Sequence, residues 1–162
     1  MRRMAGTGRK AAKADELRAL QAALRAEHAA VYGYGVVGGN IGEARREETR
    51  DGYDAHRARR DELARAIRDL GGKPVAADAA YALPFPVRDS GSAIQLAAEL
   101  EERVAGVYSD LVRACEGDRR RTAAQALREA AVRAVRWRGG SVAFPGLAER
   151  AAGPTPSAAP RT

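Results

Sequence analysis

The chain is short of the residues that would announce a common chemistry. It has one cysteine, Cys115, two histidines, His28 and His56, and among its aromatics only two phenylalanines and one tryptophan beside five tyrosines. A lone thiol excludes a disulfide framework. No apolar run approaches the roughly 20 residues that a membrane helix needs, and the basic opening, MRRMAGTGRKAAK, is followed by no apolar signal-peptide segment. A soluble, cytoplasmic protein without a membrane partner is therefore expected. No stretch alternates apolar and polar residues, so strands are not expected either.

What is present is a helical composition. Hydrophobic residues make up 45% of the 162 positions, with alanine and leucine dominant, the balance of a helix-rich domain large enough for a single core. The net charge of +7 comes mostly from arginine, with clusters at Arg2, Arg3, Arg9, Lys10 and Lys13 and at Arg119, Arg120 and Arg121. Such a surface can attract nucleic acid, but no aromatic side chains are interleaved with the charges to stack on bases. Arginine with alanine is also what GC-rich coding produces. Nucleic-acid binding through the N-terminal arm thus ranks behind the other readings.

Residues 1–13, basic with nothing to bury, read as a disordered arm, residues 14–146 as the folded domain, and residues 147–162, rich in proline, alanine and serine, as a disordered tail. Four helices are expected. The first runs from Ala14 or Asp15 to the stop at Gly38-Gly39, and Asn40 with Glu43 forms a capping pattern for the second, which ends at Leu70 before Gly71-Gly72. The segment 73–90, with Pro74, Pro84 and Pro86, forbids a long helix yet carries Tyr81, Leu83, Phe85 and Val87 as anchors. It is long enough to cross the length of a bundle, so that helices 2 and 3 run parallel. Helix 3 starts at Asp89-Ser90-Gly91-Ser92 and reaches Cys115, helix 4 covers Asp118 to Arg138, and Val142 and Phe144 anchor a short strap.

The seam of helix 1, Leu17, Leu20, Leu24 and Val31, places Glu27 where another apolar residue belongs. Carboxylates are rarely buried without a partner. His56 faces inward on helix 2, and Glu101 lies on the edge of the apolar stripe of helix 3, each near its helix's midpoint. In an antiparallel bundle midpoints share a level, so the three can converge. Two outcomes fit such a cluster: a hydrogen-bonded polar network joined by Tyr53 or Arg60, or a single-ion site for iron, manganese or zinc. His28 is a second candidate partner for Glu101 or a satisfied core histidine, while Tyr32, Tyr34 and Tyr108 read as core or dimer contacts.

The strings AEHAAVYGYGVVG, AHRARRDEL, YALPFPV, LAAELEERV and AAVRAVRWR together resemble the ferritin-like family of high-GC bacteria known as domain of unknown function 4439. The resemblance implies an all-α, ferritin-like up-down four-helix bundle with one long crossover between helices 2 and 3, and no established activity. A complete di-metal centre in the wider ferritin-like class uses a Glu on helices 1 and 3 and Glu-x-x-His on helices 2 and 4. Glu27, Glu101 and His56 match, but Tyr53 stands where the second helix needs Glu, and on helix 4 Val132 stands where a His partner of Glu129 belongs. The expectation is a structural or interaction module, a homodimer through helices 1 and 2 with no resident cofactor. The alternative is a metalloprotein holding one iron, manganese or zinc ion at Glu27, His56 and Glu101.

Overall fold

The computed structural model describes residues 2–139, with side chains from residue 8 onward. Four helices account for most of it: α1 (Arg2–Asn40), α2 (Arg46–Asp69), α3 (Ser90–Ala114) and α4 (Gly117–Arg138), with a 3-10 turn at Glu43–Arg45. No strand occurs among the described residues, and the chain is the all-α four-helix bundle its composition implies. On α1, Glu27 and then Tyr34 meet Tyr108 and then Glu101 of α3, so numbers rise on one helix as they fall on the other and the two run antiparallel. Leu17 and Tyr34 likewise face Gly72 and Gly52, which sets α2 antiparallel to α1. Helices α2 and α3 therefore run parallel, and residues 70–89 make the long crossover.

That crossover is fastened along α1. The Gln21 side chain donates to the Lys73 carbonyl at 2.7 Å and accepts from the Val75 N–H at 2.9 Å, and His28 Nε2 donates to the Val75 carbonyl at 3.0 Å. Further along, the rings of Tyr32 and Tyr81 lie 5.5 Å apart, and the Gly42 N–H donates to Ser90 Oγ at 3.2 Å. His28 is thus committed to the crossover and not to Glu101. Val75, Leu83, Phe85 and Val87 pack partly buried against the core, so the segment is a packed strap.

Local signals explain most helix ends. The N–H groups of Gly71 and Gly72 donate to the carbonyls of Arg68 and Ile67 at 2.8 and 2.9 Å, with Gly71 at φ 79°, a left-handed cap that favours glycine. Asp89 accepts from the Ser92 N–H at 2.7 Å while Ser92 Oγ accepts from the Asp89 N–H at 3.2 Å, a reciprocal N-cap. The three arginines that open α4 each find an acceptor: Arg119 pairs with Glu16, Arg120 donates to the Cys115 and Val112 carbonyls at the end of α3, and Arg121 pairs with Asp118. Cys115 is buried.

Two boundaries differ from expectation. Helix α1 begins at Arg2, so the segment read as a disordered arm is helical. Residues 8–15 are exposed. Burial does not hold them; an alanine- and lysine-rich stretch extends a helix already nucleated by the seam at little cost. At the other end Gly38-Gly39 does not stop α1, which continues to Asn40. Buried Val37 and Ile41 outweigh the roughly 1 kcal/mol that each helical glycine costs. Asn40 Nδ2 accordingly donates back to the Val36 carbonyl at 2.9 Å and does not cap α2. The strap expected at Val142 and Phe144 and the tail at 147–162 lie outside the described residues.

The second hairpin repeats the burial register of the first, 74 positions on. Ala23, Glu27, Ala30, Tyr34, Val37 and Ile41 correspond to Ala97, Glu101, Val104, Tyr108, Leu111 and Cys115, all buried. On the paired helices Thr49, Gly52, His56 and Leu63 correspond to Ala123, Ala126, Ala130 and Trp137, again all buried. The bundle is a pseudo-two-fold pair of hairpins, and the core divides into an apolar cluster around Leu24 and Leu111 and another around Val37 and Leu96. Gly52 sits under Tyr34, where a Cβ would come within 2.4 Å of the ring, whereas Gly35 is open. Gly52→Ala is therefore expected to destabilise the protein by about 1 to 3 kcal/mol through overpacking, and Gly35→Ala to stabilise it by roughly 0.5 to 1 kcal/mol, both read by urea denaturation.

Candidate functional site

Glu27, His56 and Glu101 meet at the level between the two apolar clusters, each fully buried. His56 lies between the carboxylates, its Nδ1 2.6 Å from Glu27 Oε2 and its Nε2 3.1 Å from Glu101 Oε1. A neutral imidazole would turn a lone pair toward one of these oxygens. Contacts at both nitrogens therefore identify an imidazolium that donates twice. Burial, the largest influence, pushes the His56 pKa down, but the hydrogen bonds and charges of Glu101 and Glu27 outweigh it and raise the pKa from 6.5 to about 9.

Two tyrosines and an arginine complete the arrangement. Tyr108 Oη donates to Glu27 Oε1 at 2.6 Å, and Tyr34 Oη donates to Glu101 Oε1 at 2.5 Å. Burial, then the adjoining carboxylates, holds both phenols well above their ordinary pKa. Arg133 Nε of α4 donates to Glu101 Oε1 at 2.8 Å. Burial alone would raise the Glu101 pKa, but His56 and Arg133 hold it below the usual carboxylate value. Two carboxylates, one imidazolium and one guanidinium sum to zero, which is the condition for keeping ions in a dry core.

The three residues predicted as a site are brought together; the partners predicted for them are not. Tyr53 lies under Arg57 and Arg60 pairs with Asp61, so neither joins the cluster. Helix α4, which offers no metal ligand, instead contributes Arg133 and, through Tyr34, Trp137, whose indole N–H donates to Tyr34 Oη at 2.9 Å beneath the Arg45 guanidinium. Glu129 is half-buried and paired with Arg59 at 2.9 Å. A signal for the tyrosines does exist in the sequence: Glu27 to Tyr34 and Glu101 to Tyr108 are the same seven-residue interval, two helical turns on one face.

The donor set does not fit a metal ion as arranged. Both nitrogens of His56 are spent on carboxylates, a guanidinium shares Glu101, and the single uncommitted buried atom is Glu101 Oε2, one oxygen where an ion asks for several donors. Among the described residues no group of three His, Cys, Asp or Glu side chains is placed to hold an ion. The cluster can instead fix helix register, since only one pairing of the four helices satisfies all of its donors.

Because the folded chain binds the His56 proton more tightly than the unfolded chain does, unfolding releases that proton once pH exceeds 6.5. The stabilisation, about 3 kcal/mol at most, is complete below pH 6.5 and is lost as pH rises through about 9. Denaturation midpoints should fall across that window, and the His56→Gln variant should show a much flatter profile. Arg133→Met should cost about 3 kcal/mol by leaving a net buried charge, with at least half recovered in the double variant Glu101→Gln, Arg133→Met.

The match to known proteins covers the bundle. The model of the family described as a domain of unknown function, DUF4439, matches residues 19–149. The crystal structure of a conserved hypothetical protein from Mycobacterium tuberculosis is similar, with a TM-score of 0.76 and 34% identity over 78% of this chain and 96% of that one. No curated protein matches the chain. Most of α1, all of α2, α3 and α4, the strapped crossover and the buried cluster between residues 27 and 133 fall within the matched span, and the chain belongs to the DUF4439 family.

Proposed function

We propose that the chain is a ferritin-like bundle whose central cluster is structural, serving as a cytoplasmic homodimeric interaction module rather than as an enzyme. The observation that carries this reading is the closed, electrically neutral network, in which His56 donates to both carboxylates and Arg133 balances the second. Oxygen activation at such a site needs ligands with open positions on an ion, and here the donors are turned on one another. The connectivity supports a ferritin-like origin, with α2 and α3 parallel and one carboxylate from each of α1 and α3 facing the imidazole of α2. No helix among the described residues is long and apolar enough to cross a membrane.

The alternative, one iron, manganese or zinc ion held by Glu27, His56 and Glu101, requires His56 to give up a proton and Arg133 to withdraw. Elemental analysis of protein purified without chelator separates the two. The expected result is far less than one ion per chain and a melting temperature unmoved by EDTA. A stoichiometric ion that is lost in a His56→Ala variant would overturn the structural reading. Sedimentation equilibrium reads the oligomeric state, with two chains expected per particle.

A further inference from the structure

The two hairpins are alike in register but not in how their tyrosines are covered. In one half Tyr34 Oη donates to Glu101 and also accepts the indole N–H of Trp137 at 2.9 Å, the indole lying 4.0 Å from the Arg45 guanidinium. In the other half the counterpart of Tyr34 is Tyr108 and the counterpart of Trp137 is Leu63, a smaller side chain with no donor. Tyr108 Oη donates to Glu27 and accepts from no side chain among the described residues. Where the first half is plugged by an aromatic ring, the described residues of the second leave a cleft of about 660 Å³ between α2 and α4, lined by Leu63, Tyr108, Ala126 and Arg59 among others.

The lining of this cleft is mostly small and apolar. Ala55, Ala58 and Ala66 of α2 and Ala123 and Ala126 of α4 line it, so small side chains on both helices leave room for a ring. Arg59 is held at its edge by Glu62 and Glu129, both at 2.9 Å, so its guanidinium is oriented in advance and can lie over an aromatic face. A volume in this range is that of a small-molecule site.

We infer that the α2–α4 cleft is a binding site for a small planar aromatic heterocycle with an N–H donor, occupying beside Tyr108 the place that Trp137 occupies beside Tyr34. The ring packs between the alanine walls against Leu63, its N–H donates to Tyr108 Oη, and Arg59 covers its face. The site goes beyond the structural role of the buried cluster and shares Tyr108 with it.

Indole is the probe, with the full-length protein and binding followed by saturation-transfer NMR and by backbone amide shifts. Saturable binding is expected, with shifts confined to α2 and α4, and 1-methylindole, which lacks the N–H, should bind about tenfold more weakly. Leu63→Trp, which supplies the missing ring from the chain itself, should abolish binding; Ala126→Leu, narrowing the slot from the opposite wall, does the same if the first variant does not fold. No saturable binding of indole, equal binding of 1-methylindole, or undiminished binding in a folded variant with the slot filled would each overturn the assignment.

Discussion

Everything central to this bundle follows from burying two carboxylates where water cannot reach them. The cost of removing one such ion from water exceeds what most single contacts return, so each position around Glu27 and Glu101 is constrained by the need for a positive partner or an O–H donor. An imidazolium set between the two answers half of that need, and a guanidinium from α4 answers the rest. Tyr108 then takes the Glu27 oxygen that the imidazolium leaves over, and Tyr34 adds a third donor to the Glu101 oxygen that both cations share. Register, helix direction and the placement of the strapped crossover are all consequences of bringing these groups to one level.

The arrangement also explains why a bundle that gathers two carboxylates and an imidazole in its core carries no recognisable di-metal signature. An acid or an imidazole can serve an ion only while its lone pairs are available. In this core the lone pairs of both carboxylates point chiefly at protons, and helix α4 has put a fixed cation where a ligand would stand. The same helical frame can therefore host either an ion or a salt-bridged layer, and the residues on α4 decide which. Ala130, in the position that corresponds to His56, adds no ligand to the second half.

Much of this was readable in the linear sequence, and for a physical reason. A glutamate in the seam of Leu20 and Leu24 breaks the apolar period, and such a break is visible without coordinates. His56 was found in the same way, as a polar residue in an inward sector. Arg133 was not, because it is one arginine among many on α4 and lies beside the apolar stripe, where a charge normally points to water. Tyr34 and Tyr108 read from the sequence as core or dimer contacts, not as donors; their shared interval from a glutamate becomes informative only when two helices are compared. The extension of α1 to Arg2 was missed because absence of burial was equated with absence of structure, whereas local propensity suffices once a helix is running.

The division of ions between the hairpins has one more consequence. Glu27 and His56 both belong to α1 and α2, and Glu101 and Arg133 both belong to α3 and α4. Each hairpin thus arrives at the other already self-neutralised, and closing the interface desolvates paired dipoles rather than bare charges. Within the buried cluster the bonds that cross the seam between halves are the phenol-to-carboxylate links, the second imidazole contact and the indole-to-phenol bond, and nearer the surface Arg59–Glu129 and Arg119–Glu16 join them. Two such halves could associate even as separate chains, which makes a covalent link between them an aid to closure rather than a precondition for it.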